Sequence, residues 1–569
     1  MPGTRCGQET RKDGCGVTNE RTGEISTGEF GTGEFGTGEL SAHDLFAELR
    51  SDEVTDPVPV APGHAFPLRL QPTPDAFQLP LAPRDRRAPI ARRLPLVVGL
   101  VIVAAVVTAG VYLSTLHWTG PTRSPLALQL LRVQIIGGVA QVLIYVLAAA
   151  SVVFLLARRP TRRRVIVGAS AVVGGAAIGV AVLAVVGATN AFGVALSATT
   201  SAWTVVGFAG IALGLASLWS RPGWRTIGSA FAIVFILLAG TLGINADFGL
   251  DPTVGALAGV STLNTVVVPV IRSTPDPVPS VLDGGALWAN WVPPKDMSPQ
   301  GAVHSVQIPG TISGFTARPA GIYYPPAALV KNPPLLPLVI MMMGQPGNPD
   351  PTFQEAILDQ MVAHTHGLAP IVIIADQIGN PAVDTLCLNT PRYGNSETYI
   401  TQDVVNWARS HLHIMQDPAH WTIAGYSNGG ECALSFGAKY PNLFGNVLDI
   451  SGEDYPGSDR SAATLSTMFH GNTAAYEATW PVTILKTGHY PDTVGIFTVG
   501  SNDYRYRREA QTVNAAASAA GWKTTYFEVP NGGHVLGALN GGLAEGYSIL
   551  FPRLGLSAPT PTATATPGP

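Results

Sequence analysis

The chain has 569 residues, a formal net charge of −4 and only 13% charged side chains. A mean hydropathy of +0.25 is far too apolar for a soluble protein of that length and excludes a purely aqueous globular enzyme. No nucleic-acid partner is expected.

Residues 1–93 are rich in Gly, Thr, Glu and Pro and repeat Thr-Gly-Glu-(Ile, Phe or Leu) every fifth position from Thr22 to Leu40. Such a segment buries too little apolar area to offset chain entropy, so a disordered tail is expected. It lacks the short apolar run near Met1 that a cleavable signal peptide needs. Cys6 and Cys15 have no partner Cys or His nearby and read as reduced and inert.

Apolar residues then concentrate in a region of about five transmembrane helices, 94–244, with stretches at 94–117, 126–157, 165–188, 201–219 and 227–244. Each is roughly the 20 residues a helix needs to cross about 30 Å of hydrocarbon, and none shows the charged face of a soluble core helix. Arg84, Arg86, Arg87, Arg92 and Arg93 precede the first stretch, Arg158, Arg159 and Arg162 to Arg164 follow the second, and Arg221 and Arg225 follow the fourth. The alternate loops hold a single Arg, so positive-inside logic places the N-terminus in the cytoplasm and everything after the fifth span outside. Arg132 is nearly the only ionisable group within the spans, which favours anchoring over transport. Residues 245–300 form a Pro-, Val- and Trp-rich connector.

From 301 to 555 strand-like runs (303–308, 320–324, 336–343, 370–375, 421–425, 494–499 and 524–529) alternate with helix-like ones (354–365, 399–410, 429–439 and 507–520). This pattern predicts a mostly parallel sheet with helices on both faces. Its site lies at the carboxyl ends of the strands. The run 336–343 leads into Gly344-Gln345-Pro346-Gly347, an early loop able to supply an oxyanion-hole N–H. Pro346 has none, so Gln345 is chosen. Cys387 and Cys432, on the expected outer face, form either a disulfide or two buried thiols. Residues 556–569 read as a second disordered tail.

Gly425-Tyr426-Ser427-Asn428-Gly429-Gly430, directly after an apolar strand, has the small residues that a nucleophile elbow needs two before and two after its serine. A turn that sharp leaves no room for larger side chains there. Asn428 would offer the second oxyanion N–H. Gly500-Ser501-Asn502-Asp503 puts an acid at the end of a later strand, and Pro530-Asn531-Gly532-Gly533-His534 puts a histidine in a turn after the last one. Ser427, Asp503 and His534 thus appear in the order nucleophile, acid, base. Asp492 precedes its strand and Asp376 precedes the nucleophile, so both are weaker acids for this role, and Asp503 as a mere helix cap is the plainer alternative. His364, His366, His411, His413, His470 and His489 do not follow both nucleophile and acid. His411 and His413 lack a third ligand at metal spacing. No metal and no cofactor are expected.

The loop Gly344 to Gly347, the stretch Asp384-Thr385-Leu386-Cys387 with Glu397-Thr398-Tyr399, the Ser427 elbow, Gly500 to Asp503 and Gly532-Gly533-His534 together resemble the putative esterase family of α/β-hydrolases. That family joins esterase D-like and enterochelin esterase-like enzymes to the actinobacterial mycolyltransferases. The resemblance spans roughly 300–555 and implies Ser427 as nucleophile, Asp503 as acid and His534 as base. The added spans resemble an actinobacterial membrane-anchored form. The mycolyltransferases use Glu as the acid where this chain has Asp503, so transferase activity does not follow automatically. The expectation is a multi-pass membrane protein of the cell membrane with an extracellular serine esterase domain. Its substrate is an ester, with lipids and cell-envelope components among the candidates. Acyl transfer to an envelope lipid or sugar is the alternative, and an inactive sensor or scaffold is the alternative of another class.

Overall fold

The computed structural model describes residues 124–157, 159–189, 196–219, 223–269 and 286–559. The expected tail 1–93, the apolar stretch 94–117, Cys6 and Cys15 lie outside the described residues. The apolar region supplies α1 (Pro125–Leu131), α2 (Val139–Leu156), α3 (Arg162–Thr189), α4 (Ala198–Ser217) and α5 (Gly223–Phe248). Four of these, α2 to α5, are long and apolar enough to cross a membrane, at 18 to 28 residues, or about 27–42 Å at about 1.5 Å per residue.

The stretch 126–157 is therefore not one span. It breaks between α1 and α2, where Gly137 takes φ +70 and Gln134 bridges to Thr253 beyond α5. The Arg132 guanidinium donates to the Thr262 carbonyl at 3.2 Å, so its charge lies at the bundle end and not within a span.

Small residues set the helix contacts in the bundle. A Cβ on buried Gly175 or Gly179 of α3 would run into the α4 backbone near Phe208 and Val205, the close approach that a Gly-x-x-x-Gly spacing permits. Outward-facing positions carry Val142, Val153, Val173 and Val185, all exposed, where a bundle in water would carry charge.

After α5 the chain forms a short helix, α6 (Val254–Leu257). Leu250 and Val268 pack against the core of the C-terminal part. That part is one eight-stranded sheet: β1 (Ala302–Val306), β2 (Ala320–Tyr324), β3 (Leu338–Met342), β4 (Ile371–Ala375), β5 (Trp421–Tyr426), β6 (Asn446–Ile450), β7 (Val494–Gly500) and β8 (Lys523–Val529). The order is β1-β2-β4-β3-β5-β6-β7-β8, with β3 to β8 parallel and β1 and β2 antiparallel at one edge.

Every residue of β3 to β7 is buried, so both faces of the sheet are covered, which is why these strands read as unbroken apolar runs. The covering helices include α7 (Thr352–Val362), α8 (Val405–His411), α9 (Asn428–Lys439), α11 (Tyr504–Ala519) and α12 (Leu536–Arg553), while α10 (Ser461–Met468) borders a cleft at the carboxyl end of the sheet. Strand β6 was not among the expected runs. Leu556, expected in the tail, is fully buried and closes the core.

Candidate active site

Ser427 stands between β5 and α9 at φ 55, ψ −122. A non-glycine residue is costly there, and it persists because its surroundings over-determine it. Its N–H donates to the Ile450 carbonyl of β6 at 2.8 Å, and its own carbonyl accepts from Gly430 N–H at 2.8 Å. A Cβ on Gly425 would strike the Gly429 carbonyl, and one on Gly429 the Met342 carbonyl of β3. The two glycines are thus required by the approach of three backbone segments behind the serine.

His534 lies in the turn after β8. Its Nε2 is 2.8 Å from Ser427 Oγ and its Nδ1 is 2.6 Å from Asp503 Oδ2. The histidine and aspartate side chains are each only 8% exposed, so the contact is shielded from water. The Tyr426 hydroxyl donates to the His534 carbonyl at 2.6 Å, and the Tyr506 ring lies 3.9 Å from the imidazole, centre to centre. Asp503 is fixed by the turn after β7. Ser501 N–H donates to the Val529 carbonyl at 3.0 Å and Asn502 N–H to that of Gly532 at 2.8 Å, tying the acid's turn to the histidine's.

The competing residues are placed elsewhere. Asp492 is exposed at the opposite end of β7, paired with Lys523 at 2.7 Å and Arg553 at 2.8 Å. Asp376 is buried and held by Arg318 at 2.7 Å. His411 stacks on Trp407, and His413 meets the Pro334 carbonyl. His364, His366, His470 and His489 are exposed.

Gln345 and Asn428 both line the cleft beside Ser427. A Cβ on Gly344 would sit 3.2 Å from the Ser427 Cβ, which brings the early loop against the nucleophile. Sequence reasoning missed the network behind this loop. Gln377 Nε2 donates both to the Met343 carbonyl and to Asn428 Oδ1 at 3.1 Å, and Asn428 Nδ2 donates to Asp384 Oδ1 at 2.9 Å. Burial pushes the Asp384 carboxyl above its ordinary range. Cys387 and Cys432 are disulfide-bonded, Cα to Cα 5.4 Å, and join the loop after Asp384 to α9.

The cleft has a volume of about 750 Å³ and is walled by Pro346, Leu386, Tyr393 and Met468, with Glu453 and Arg460 among its polar groups. Burial raises Glu453 well above its ordinary carboxylate value, and neighbouring Asp384 and Asp459 raise it further.

A family model described as putative esterase matches residues 318–531. An uncharacterized protein of Corynebacterium glutamicum is 30% identical over 370 residues, 62% of this chain and 83% of its own length. The chain belongs to the putative esterase family. Among solved structures, this esterase is similar to a ferulic acid esterase (16% identity, TM-score 0.37, 43% of this chain and 95% of that one). It is also similar to an S-formylglutathione hydrolase from Agrobacterium tumefaciens (16%, 0.36, 45% and 95%). A Staphylococcus aureus fluorophosphonate-binding serine hydrolase matches at 14%, TM-score 0.35, over 45% and 99%. The family match and the mostly parallel sheet make the C-terminal part an ester hydrolase domain of the α/β-hydrolase fold, beside an apolar helical region.

Proposed function

We infer that this esterase works through an acyl-enzyme on Ser427 and that its helices hold it, multi-pass, in the cell membrane with the hydrolase on the outer face. What carries the reading is the unbroken contact from Ser427 Oγ through His534 to Asp503. His534 Nε2 takes the Ser427 proton as Oγ attacks the ester carbonyl, and the imidazolium, oriented and stabilised by Asp503, returns it to the departing alcohol. The N–H groups of Asn428 and Gln345 hold the tetrahedral oxyanion, and water, activated by His534, then cleaves the acyl-serine bond. Transfer to an envelope lipid or sugar would share the first half-reaction and differ only in the acceptor.

The test is labelling of the full-length protein by a fluorophosphonate, with turnover of p-nitrophenyl acetate measured beside it. Label is expected on Ser427, and Ser427→Ala is expected to lose turnover by several orders of magnitude, roughly 10⁶ in a well-studied protease. Turnover within about tenfold of the parent, or label on another residue, would sink the assignment.

A further inference from the structure

Both loops of the site rest on the segment that leaves the apolar helices. Asn348, three residues beyond Gln345, donates its Nδ2 to the Ala256 carbonyl of α6 at 2.8 Å. Its Oδ1 accepts from Arg318 Nη1 at 3.1 Å. The Arg318 guanidinium grips Asp376 at 2.7 and 3.1 Å, and the Arg318 backbone N–H adds a third bond at 2.6 Å. Asp376 is fully buried at the end of β4. The next residue, Gln377, holds the Met343 carbonyl and the Asn428 side chain. One path of bonds therefore runs from α6 to Met343, two residues before Gln345, and to Asn428 itself, the other proposed oxyanion donor. On the histidine side, Gly249 at φ +74 lies so close to Leu536, two residues after His534, that a Cβ there would meet its side chain.

The structure assigns to Asn348 the role of a positioning residue, through which the segment that follows the membrane helices holds the oxyanion loop in register with Ser427. The assignment rests on the acyl-enzyme reading above. It makes the segment after the apolar helices more than a linker, because the loop's outer support comes from α6. Asn348 is suited to this role, since its amide both donates and accepts at once, whereas Asp in its place keeps the acceptor for Arg318 but turns an oxygen toward the Ala256 carbonyl. Oxyanion stabilisation depends on donors held within a narrow distance of the developing charge, so a loosened loop lowers the rate without removing the binding surface.

The experiment uses the full chain in detergent, with p-nitrophenyl acetate as substrate and fluorophosphonate end-point labelling to count competent sites, so that misfolded molecules drop out of kcat. Asn348→Asp is expected to lower kcat about tenfold, less than the 10²–10³ for outright loss of an oxyanion donor, with KM within about twofold. Asn348→Ser, which reaches neither partner and adds no charge, is the second variant and is expected to show the same kcat-selective loss. Parental kcat per labelled site in both variants would overturn the assignment, as would a loss confined to KM. Ser427→Ala in the same preparation keeps the two ideas apart. If it abolishes turnover while both Asn348 variants stay parental, only the positioning role fails. If it leaves turnover intact, the acyl-enzyme reading fails and the positioning role with it.

Discussion

At Ser427 a backbone conformation, a hydroxyl and an imidazole coincide. The residue sits at φ 55 because β5 must turn at once into α9, and that turn presents Oγ to His534 Nε2 at 2.8 Å. The choice of acid is then a matter of which end of β7 an aspartate occupies. Asp503 follows the strand and meets His534, while Asp492 precedes it, about 20 Å away along seven residues of β7. Asp503→Asn is expected to preserve fold and KM but to cut kcat by about 10⁴, since an amide cannot stabilise the imidazolium and favours the wrong tautomer. Asp492→Asn, which loses only exposed ion pairs, is expected to leave kcat unchanged. Steady-state kinetics on the pair decide it, and the reverse pattern would remove Asp503 from the mechanism. These residues were legible because each follows a strand within a few positions, so chain order alone brought them to one end of the sheet. Arg318, Asn348 and Gln377 were not, because their partners lie 30 to 92 positions away and no local pattern marks such pairs.

Elements were legible where their apolar period was unbroken. Strand β6 escaped because Asn446 and Asp449 interrupt it, yet both are buried. The Asn446 amide donates to the Ala419 and Trp421 carbonyls, and Asp449 Oδ1 accepts from Gly452 N–H at 2.8 Å. Polar groups that take partners from neighbouring backbone look like loop residues until the neighbours are known. The stretch 126–157 holds one span, α2, but overstates its length, since composition registers apolar length and not the turn at Gly137. Helix α9 carries a further consequence. Glu431 on it is buried, which raises its carboxyl to about 8, and Asp449 beneath it is raised to about 7, again chiefly by burial. The folded protein therefore holds protons that the unfolded chain releases near 4.5 and 3.8. Their contribution is fully present below those values and is lost as pH rises toward the folded ones, between about pH 4 and 8. Thermal unfolding followed by circular dichroism should give a Tm that declines over this window, and Glu431→Gln, neutral at every pH, should flatten the decline. An unchanged slope in the variant would mean that Glu431 is ionised in the folded state.

Across the whole molecule, charge is sorted between the two ends of the helical bundle. Arg162, Arg163 and Arg164 begin α3, and Arg225 near the start of α5 donates to the Ala157 carbonyl just after α2 at 2.8 Å. At the other end Asp247, near the end of α5, accepts from Ser197 and from Thr200 at 2.6 Å, which places a carboxylate at the N-terminus of α4, where a helix favours negative charge. The hydrolase follows that acidic end. On the proposed orientation, with the arginine-rich end in the cytoplasm, the hydrolase would be external and so would the start of α2. The N-terminal tail can then be cytoplasmic only if the stretch 94–117 also crosses. In intact cells, added protease is expected to remove a tag placed after Pro569 and to spare one placed before Met1. The two tags read separate steps of the argument. A spared C-terminal tag would reverse the orientation of the bundle, while two accessible tags would keep the hydrolase outside but show that 94–117 does not span, leaving Arg84 to Arg93 on the outer side against the charge rule.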